Sequence, residues 1–85
     1  MKHQFDNSHA LDRAYERYFT CLDDEDLDDI VEMIQSGKAR WSGIDWPTNS
    51  IWLVDYEGLT MKVVYNGREK RICTFLPYKQ EELGL

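Results

Sequence analysis

Two strand–turn–strand signals follow one another between residues 51 and 76, and they constrain the fold more than any other feature of the sequence. Glu57-Gly58 and Asn66-Gly67 each separate segments rich in β-branched and aromatic residues. Asn-Gly is the strongest hairpin signal because both residues tolerate the positive φ angles of a type I′ turn. The predicted strands are 51–56, 59–65 and 68–76, with Pro77 ending the last of them.

Two-residue turns also fix which residues face each other across the strands. They place Val54 opposite Met61 and Lys62 opposite Arg71. The face expected to carry the helices contains Trp52, Val54, Tyr56, Leu59, Met61, Val63, Ile72 and Leu76. The other face is mixed, and is a candidate open working surface: Leu53, Asp55, Thr60, Lys62, Val64, Glu69, Arg71, Cys73 and Phe75.

Apolar residues recur at helical spacing in two segments before these strands. Leu27, Ile30, Val31 and Ile34 are spaced i, i+3, i+4 and i+7, which predicts a helix over about 24–36 that ends at Ser36-Gly37. A shorter stripe predicts a first helix over about 9–20. Residues 39–42 are a candidate edge strand and 43–50 a candidate loop, and Trp41 and Trp46 are expected to fill a small core.

The whole chain of 85 residues is therefore predicted to be one α+β domain, 1–85. Two N-terminal helices pack on one face of a three- to four-stranded antiparallel sheet. A core this thin gains from self-association or from a partner, so a homodimer is compatible with the sequence.

Acidic residues are concentrated in the second helix, although the net charge of the chain is only −6. The run contains seven acids and no base: Asp23, Asp24, Glu25, Asp26, Asp28, Asp29 and Glu32. One interpretation is a capped and solvated helix face, and the other is a surface that binds a basic partner. The acidic balance argues against a protein that coats nucleic acid non-specifically.

Cysteine usage and hydropathy predict a cytoplasmic protein. Cys21 and Cys73 are far apart and are read as two free thiols in a reducing compartment. The N-terminus has no apolar run of a signal peptide, and no segment is long and apolar enough to span a membrane. Neither His3 nor His9 has a nearby Cys, and the common cofactor motifs are missing, so no metal and no cofactor are predicted.

Two clusters of like charge stand out. His9, Arg13 and Arg17 form one stripe on the first helix, and Lys62 is predicted to lie opposite Arg71. Like-charged neighbours are mildly unfavourable in both settings. They indicate that an anion lies nearby, either a carboxylate from elsewhere in the fold or a phosphate.

A histidine beside arginines is also a minimal set for RNA cleavage. In such a site we expect the imidazole of His9 to move a proton and the cations to stabilise the charge that develops on the phosphate. A hydroxyl such as that of Thr74 or Tyr78 is a candidate for holding the scissile phosphate.

Several short motifs follow in an order that resembles a known group of proteins. They are Ser8-His9-Ala10-Leu11-x-Arg13-x-x-Glu16-Arg17, then Ile34-Gln35-Ser36-Gly37-Lys38, then Val54-Asp55-Tyr56-Glu57-Gly58, Lys62-Val63-Val64-Tyr65-Asn66 and Ile72-Cys73-Thr74-Phe75-Leu76-Pro77. Over roughly residues 8–77 the chain resembles small bacterial and phage proteins of the RelE/colicin-nuclease-like superfamily, which share a barnase-type ribonuclease fold.

This resemblance implies metal-independent RNA cleavage by a toxin that an antitoxin or immunity protein holds inactive. It implies His9, Arg13 and Thr74 as catalytic residues. The charge argument adds Arg17, Lys62 and Arg71 as phosphate-binding residues. Two alternatives stay open: a non-catalytic binding or inhibitor protein that uses its acidic helix on a basic partner, and a structural role through an exposed sheet edge.

Overall fold

The computed structural model describes residues 7–45 and 47–78. Two helices precede four strands along the chain: α1 (Ser8–Tyr18), α2 (Asp24–Gln35), β1 (Arg40–Asp45), β2 (Asn49–Tyr56), β3 (Leu59–Asn66) and β4 (Arg71–Leu76). The strands form one antiparallel sheet in the order β1-β2-β3-β4. Both helices pack on the same face of this open sheet, so the predicted α+β fold class is confirmed.

The main differences in element bounds lie at the end of α1 and before β2. Helix α1 ends at Tyr18 because Phe19 adopts a left-handed conformation with φ 55°. Within the predicted loop 43–50, residues 43–45 belong to β1 and residues 49–50 to β2, since Gly43 and Ile44 pair with Ile51 and Ser50. The short, polar sequence of residues 43–45 does not by itself favour a strand. It forms one because pairing with β2 satisfies its backbone N–H and C=O groups.

The hairpin between β2 and β3 has the predicted register. Val54 lies opposite Met61, and the two-residue loop is Glu57-Gly58. Both loop residues have positive φ, 53° for Glu57 and 82° for Gly58. These values are those of a type I′ turn, which matches the twist of the flanking strands.

The hairpin between β3 and β4 has a different loop from the predicted one. The Asn66 side-chain oxygen accepts hydrogen bonds from the backbone N–H groups of Arg68 and Glu69, both at 2.9 Å. The Lys70 N–H closes the loop on the Asn66 carbonyl at 2.7 Å. Asn66 therefore acts through its side chain as well as its backbone, which stabilises a four-residue loop in place of the expected Asn66-Gly67 turn.

This loop shifts the register of β4. Asn66 lies opposite Arg71, and Lys62 lies opposite Leu76. The predicted pairing of Lys62 with Arg71 was wrong. The predicted like-charge contact between them in the sheet was therefore wrong as well.

A β-bulge then changes which face the end of β4 presents. Tyr65 pairs with Ile72 and Val64 with Thr74, so Cys73 is an extra residue in β4. Beyond an extra residue the side chains exchange faces. Phe75 is therefore in the core with 0% exposure, although it was predicted on the open face, and Leu76 points away from the helices.

The core lies between the helices and the sheet. Its buried members are Ala10, Ala14, Leu27, Ile30, Ile34, Val54, Met61, Val63, Tyr65, Ile72 and Phe75. Trp41 is 57% exposed and packs in a T-shaped arrangement with the Trp52 ring, with centroids 5.5 Å apart, so its predicted core role was wrong. Trp46 lies outside the described residues.

Helix α1 covers the outer edge of β4. Tyr18 packs edge-on against the Phe75 ring, and its hydroxyl accepts a hydrogen bond from the Lys62 N–H and donates one to the Leu76 carbonyl. Arg17 donates from Nε to the Phe75 carbonyl at 3.2 Å. The Tyr18 hydroxyl thus bridges β3 and β4, and Arg17 satisfies a backbone carbonyl of β4.

Both cysteines are free thiols, as predicted, with Cys21 exposed and Cys73 half-buried. Burial raises the pKa of the Cys73 thiol. Among the described residues, neither helix has the length and hydropathy needed to cross a membrane.

Candidate functional site

Helix α2 is fixed firmly at both ends. Asp23 and Asp26 form a reciprocal capping box, in which each side chain accepts the backbone N–H of the other residue. At the other end the Lys38 N–H bonds to the Met33 carbonyl at 2.8 Å, and Gly37 adopts φ 85°. This Schellman-type ending and the capping box define where the acidic helix begins and ends.

The outward side of α2 carries a row of carboxylates, here called the acidic row: Glu25, Asp28, Asp29 and Glu32, all exposed. Members four residues apart repel each other, which costs about 0.2–0.5 kcal/mol per pair in an isolated helix. Glu32 lies in the last turn, where the helix dipole also disfavours negative charge and where no base is present. Within residues 7–45 and 47–78, no ion pair neutralises any member of the row.

Tyr56 fixes one flank of this surface. Its hydroxyl contacts the Asp26 carboxylate at 2.6 Å and the Asp29 carboxylate at 3.0 Å. The hydrogen bond from Tyr56 lowers the pKa of the Asp26 carboxyl, and the bond to Asp26 raises the pKa of Tyr56. The end of β2 thereby favours the ionised form of Asp26.

We predict that Tyr56→Phe lowers the free energy of unfolding by about 1 kcal/mol at neutral pH, because hydrogen bonds to carboxylates are lost. The Asp26 pKa is lower in the folded protein, so this stabilisation is present above the ordinary value of 3.8 and is lost as pH falls through the folded-state value. It is also lost above the ordinary tyrosine value of 10.0, since the folded-state pKa of Tyr56 is raised.

Urea unfolding of wild type and Tyr56→Phe across this pH range measures the difference. Tyr65→Phe is the matched control, because the Tyr65 hydroxyl accepts from the neutral Gln35 amide, at 3.1 Å, and not from a charged group among the described residues. A Tyr56→Phe cost that stays constant down to pH 2 would contradict the linkage to Asp26.

A cleft of about 250 Å³ lies on the other flank of α2. Asp24 and Asp28 line one side of it, Lys70 and Arg71 the other, and Leu27 lies among them. Arg71 also pairs with Glu69 at 3.5 Å. The structure therefore places Arg71 beside the acidic helix and not beside Lys62, its predicted neighbour.

The predicted catalytic residues are distributed over both faces of the sheet. His9 is exposed on α1, and Arg13 forms an ion pair with Glu16 at 2.8 Å. Thr74 precedes the core residue Phe75, and since side chains alternate along a strand it lies on the face opposite the helices. The structure does not bring Thr74 to the helical side, where His9 and Arg13 are.

The predicted phosphate-binding residues have other contacts. Arg17 donates to the Phe75 carbonyl and Arg13 pairs with the Glu16 carboxylate, so both arginines of the α1 stripe have an oxygen partner within the fold. The Lys62 ammonium lies 5.8 Å from the centre of the Tyr78 ring. The Tyr78 hydroxyl is buried and has no hydrogen-bond partner among the described residues.

Sequence reasoning missed an exposed aromatic pair at the end of α1. Phe19 is 83% exposed and Tyr15 55%, with their rings edge-on at 6.4 Å. Phe19 is four residues before Asp23, so their Cα atoms are at most about 14 Å apart. The spacing i, i+4 of Tyr15 and Phe19 was a visible signal, but Phe19 falls where the predicted helix was still continuing.

No group of three or more potential metal ligands occurs within residues 7–45 and 47–78. Fold and surface together define a two-layer α+β protein that presents a capped acidic helix on its helical side. Comparison of the chain with protein-family models, with curated proteins and with solved structures finds no match. The resemblance to the RelE/colicin-nuclease-like superfamily stays a prediction.

Proposed function

We propose that this protein is a binding or inhibitor protein whose acidic helix engages a basic surface on a partner protein. The observation that carries the proposal is the acidic row, Glu25, Asp28, Asp29 and Glu32, whose members lie exposed on one helix and form no ion pair with any of the described residues. Retaining such a row costs stability. A basic partner surface offsets that cost and gains in association rate from electrostatic steering.

The rigidity of the helix supports the same proposal. The capping box and the Gly37 ending fix the helix that carries the row, and Tyr56 bonds to Asp29 of the row, before any partner arrives. A preorganised surface loses less conformational entropy on binding than a flexible acidic tail does.

The exposed aromatic pair supports a protein partner rather than a small cation. Protein interfaces are enriched in aromatic side chains near their centre, with charged groups around them. Phe19 lies within about 14 Å of the start of α2 along the chain. It offers exposed apolar contact area near the N-terminal end of the acidic helix.

The test uses a charge-neutralised variant with Glu25→Gln, Asp28→Asn and Glu32→Gln, none of which removes a cap or a bond to Tyr56. The matched control neutralises three exposed acids elsewhere: Asp12→Asn, Glu57→Gln and Glu69→Gln. Proteins captured from bacterial lysate by wild type are compared with those captured by both variants, and a captured partner is then purified for kinetics.

We expect a basic partner to be retained by wild type and by the control but lost by the α2 variant. Its association rate constant should fall by about 10–10³-fold on neutralising the row or raising the salt concentration. A partner that binds the α2 variant as tightly as wild type would refute the role of the acidic row.

The ribonuclease hypothesis needs a different experiment. Wild type and the pair His9→Ala/Arg13→Ala are expressed in bacteria, and growth and total RNA are followed. Growth arrest with discrete RNA fragments, both lost in the double variant, would favour ribonuclease activity over the binding function proposed here. Intact RNA with wild type favours the binding function.

A further inference from the structure

The two edges of the sheet are treated differently. The β4 edge is covered by α1, through Arg17 on the Phe75 carbonyl and through the packing of Tyr18. The β1 edge pairs only with β2, and no other described element lies beyond it. Two large apolar side chains on this strand are exposed, Trp41 at 57% and Ile44 at 66%.

Strand β1 has a β-bulge between Trp41 and Gly43, which interrupts the regular alternation of side chains between the two faces of the sheet. Trp41 pairs with Trp52 and Ile44 with Ser50, so Trp41 and Ile44 point to the helical side. Arg40 and Asp45 point to the open side, because their partners in β2 are Leu53 and Asn49. Ser42 and Gly43 together occupy one position of the ladder. Trp41 and Ile44, which are three residues apart, therefore lie on the same face.

We propose that β1 pairs antiparallel with β1 of a second copy of this chain, around a twofold axis perpendicular to the sheet at Ser42-Gly43. This register places Arg40 opposite Asp45 of the second copy, and Trp41 opposite Ile44 of the second copy. Each contact occurs twice because the interface is isologous. The result is a continuous eight-stranded sheet with both helical layers on the same side.

The strand sequence is complementary to itself in this register alone. Opposite charges meet on the open side, and an aromatic residue meets a β-branched one on the helical side, both of which are favourable cross-strand pairs. Without the bulge, Trp41 and Ile44 would lie on opposite faces and this pairing would not align with a perpendicular twofold axis.

Arg40 can bind Asp45 of the second copy while it keeps its ion pair with Asp55 of its own chain. It bonds to Asp55 through Nη2 at 3.0 Å, in an exposed pair on the open side. The guanidinium has four further N–H donors for Asp45 of the second copy. The two carboxylates flank one cation, so the contact between copies does not require the first pair to break.

Sedimentation equilibrium of the full chain tests the proposal. We expect a monomer–dimer equilibrium for wild type. We expect Arg40→Asp and Asp45→Arg each to weaken it about tenfold or more, since each creates two like-charge contacts. The combination Arg40→Asp/Asp45→Arg should restore association. The Arg40–Asp55 pair stays broken in that double variant, so recovery reports contact between copies rather than stability of the fold.

A second comparison covers the apolar pair. Ile44→Lys should weaken the dimer, whereas Thr48→Lys, an exposed residue outside the ladder, should leave it unchanged. Circular dichroism confirms that each variant is folded. Wild type that remains monomeric up to about 1 mM, or a double variant that associates no better than the single variants, would overturn the proposal.

Discussion

Phe75→Ala is expected to lower the free energy of unfolding by about 3–5 kcal/mol, because it removes an aromatic ring at 0% exposure from the centre of the core. Leu76→Ala is expected to cost no more than about 1–2 kcal/mol, since Leu76 is half-buried on the open face. Urea unfolding followed by tryptophan fluorescence measures both.

A loss of this size is a large fraction of the stability of a small domain, so we expect a substantial unfolded fraction of Phe75→Ala in water. Phe75→Leu, expected to cost about 1.5 kcal/mol or less, keeps the comparison measurable. Regular alternation along β4 would instead place Leu76 in the core and Phe75 on the open face, so it predicts the larger loss of stability for Leu76→Ala. A larger effect at Leu76 than at Phe75 would therefore contradict the bulge at Cys73.

Tyr18→Phe is expected to cost about 2–3 kcal/mol. The variant keeps the ring on Phe75 but removes the hydroxyl that accepts from the Lys62 N–H and donates to the Leu76 carbonyl. Two backbone groups at a partly buried strand junction then lose their partner, and leaving such groups unsatisfied costs more than the net value of the bonds. Burial also raises the Tyr18 pKa, so the stabilisation should be lost above the ordinary value of 10.0.

Tyr15→Phe is the matched control for this prediction. Tyr15 is on the same helix and is 55% exposed, so its substitution should change the unfolding free energy by less than about 0.5 kcal/mol. Equal costs for the two variants would indicate that the Tyr18 hydroxyl does not stabilise the strand junction.

Local sequence rules were sufficient for much of the fold. The helix period located α2, and the capping and glycine signals located both of its ends. Glu57-Gly58 gave the register of β2 and β3 because its geometry depends only on two adjacent residues. The fold class follows from these elements, since each has one apolar face that must be covered.

The sequence-based predictions were wrong where a side chain or a distant strand determines the backbone conformation. The Asn66 side chain closes a longer loop than the Asn-Gly pair suggests, and the extra residue at Cys73 leaves no pattern in hydrophobicity. The strand from Gly43 to Asp45 forms because β2 is beside it. Tertiary pairing outweighs local propensity at each of these positions.

The candidate site was predictable to a similar degree. The acidic run is visible in composition, and the spacing of its members predicts a row on one helix. Tyr56 could not be predicted as the partner of Asp26 and Asp29, because it is about 30 residues away and meets them only across the two layers. The predicted link between Arg71 and Lys62 failed because it depended on the one register that was wrong.

The position of α1 against β4 has a consequence for how the chain unfolds. Tyr18 and Arg17 make contacts across 44 and 58 residues of sequence, whereas the strands of the sheet are joined by short hairpins. Detachment of α1 therefore leaves the hairpin contacts of the sheet unbroken, and it uncovers the β4 edge together with the core around Ala10 and Ala14. Among the described elements of the native molecule only the β1 edge is open, so the pairing proposed above stops at two copies. A molecule that has released α1 has two different edges, and pairing of one with the other does not close but continues from copy to copy as a fibre.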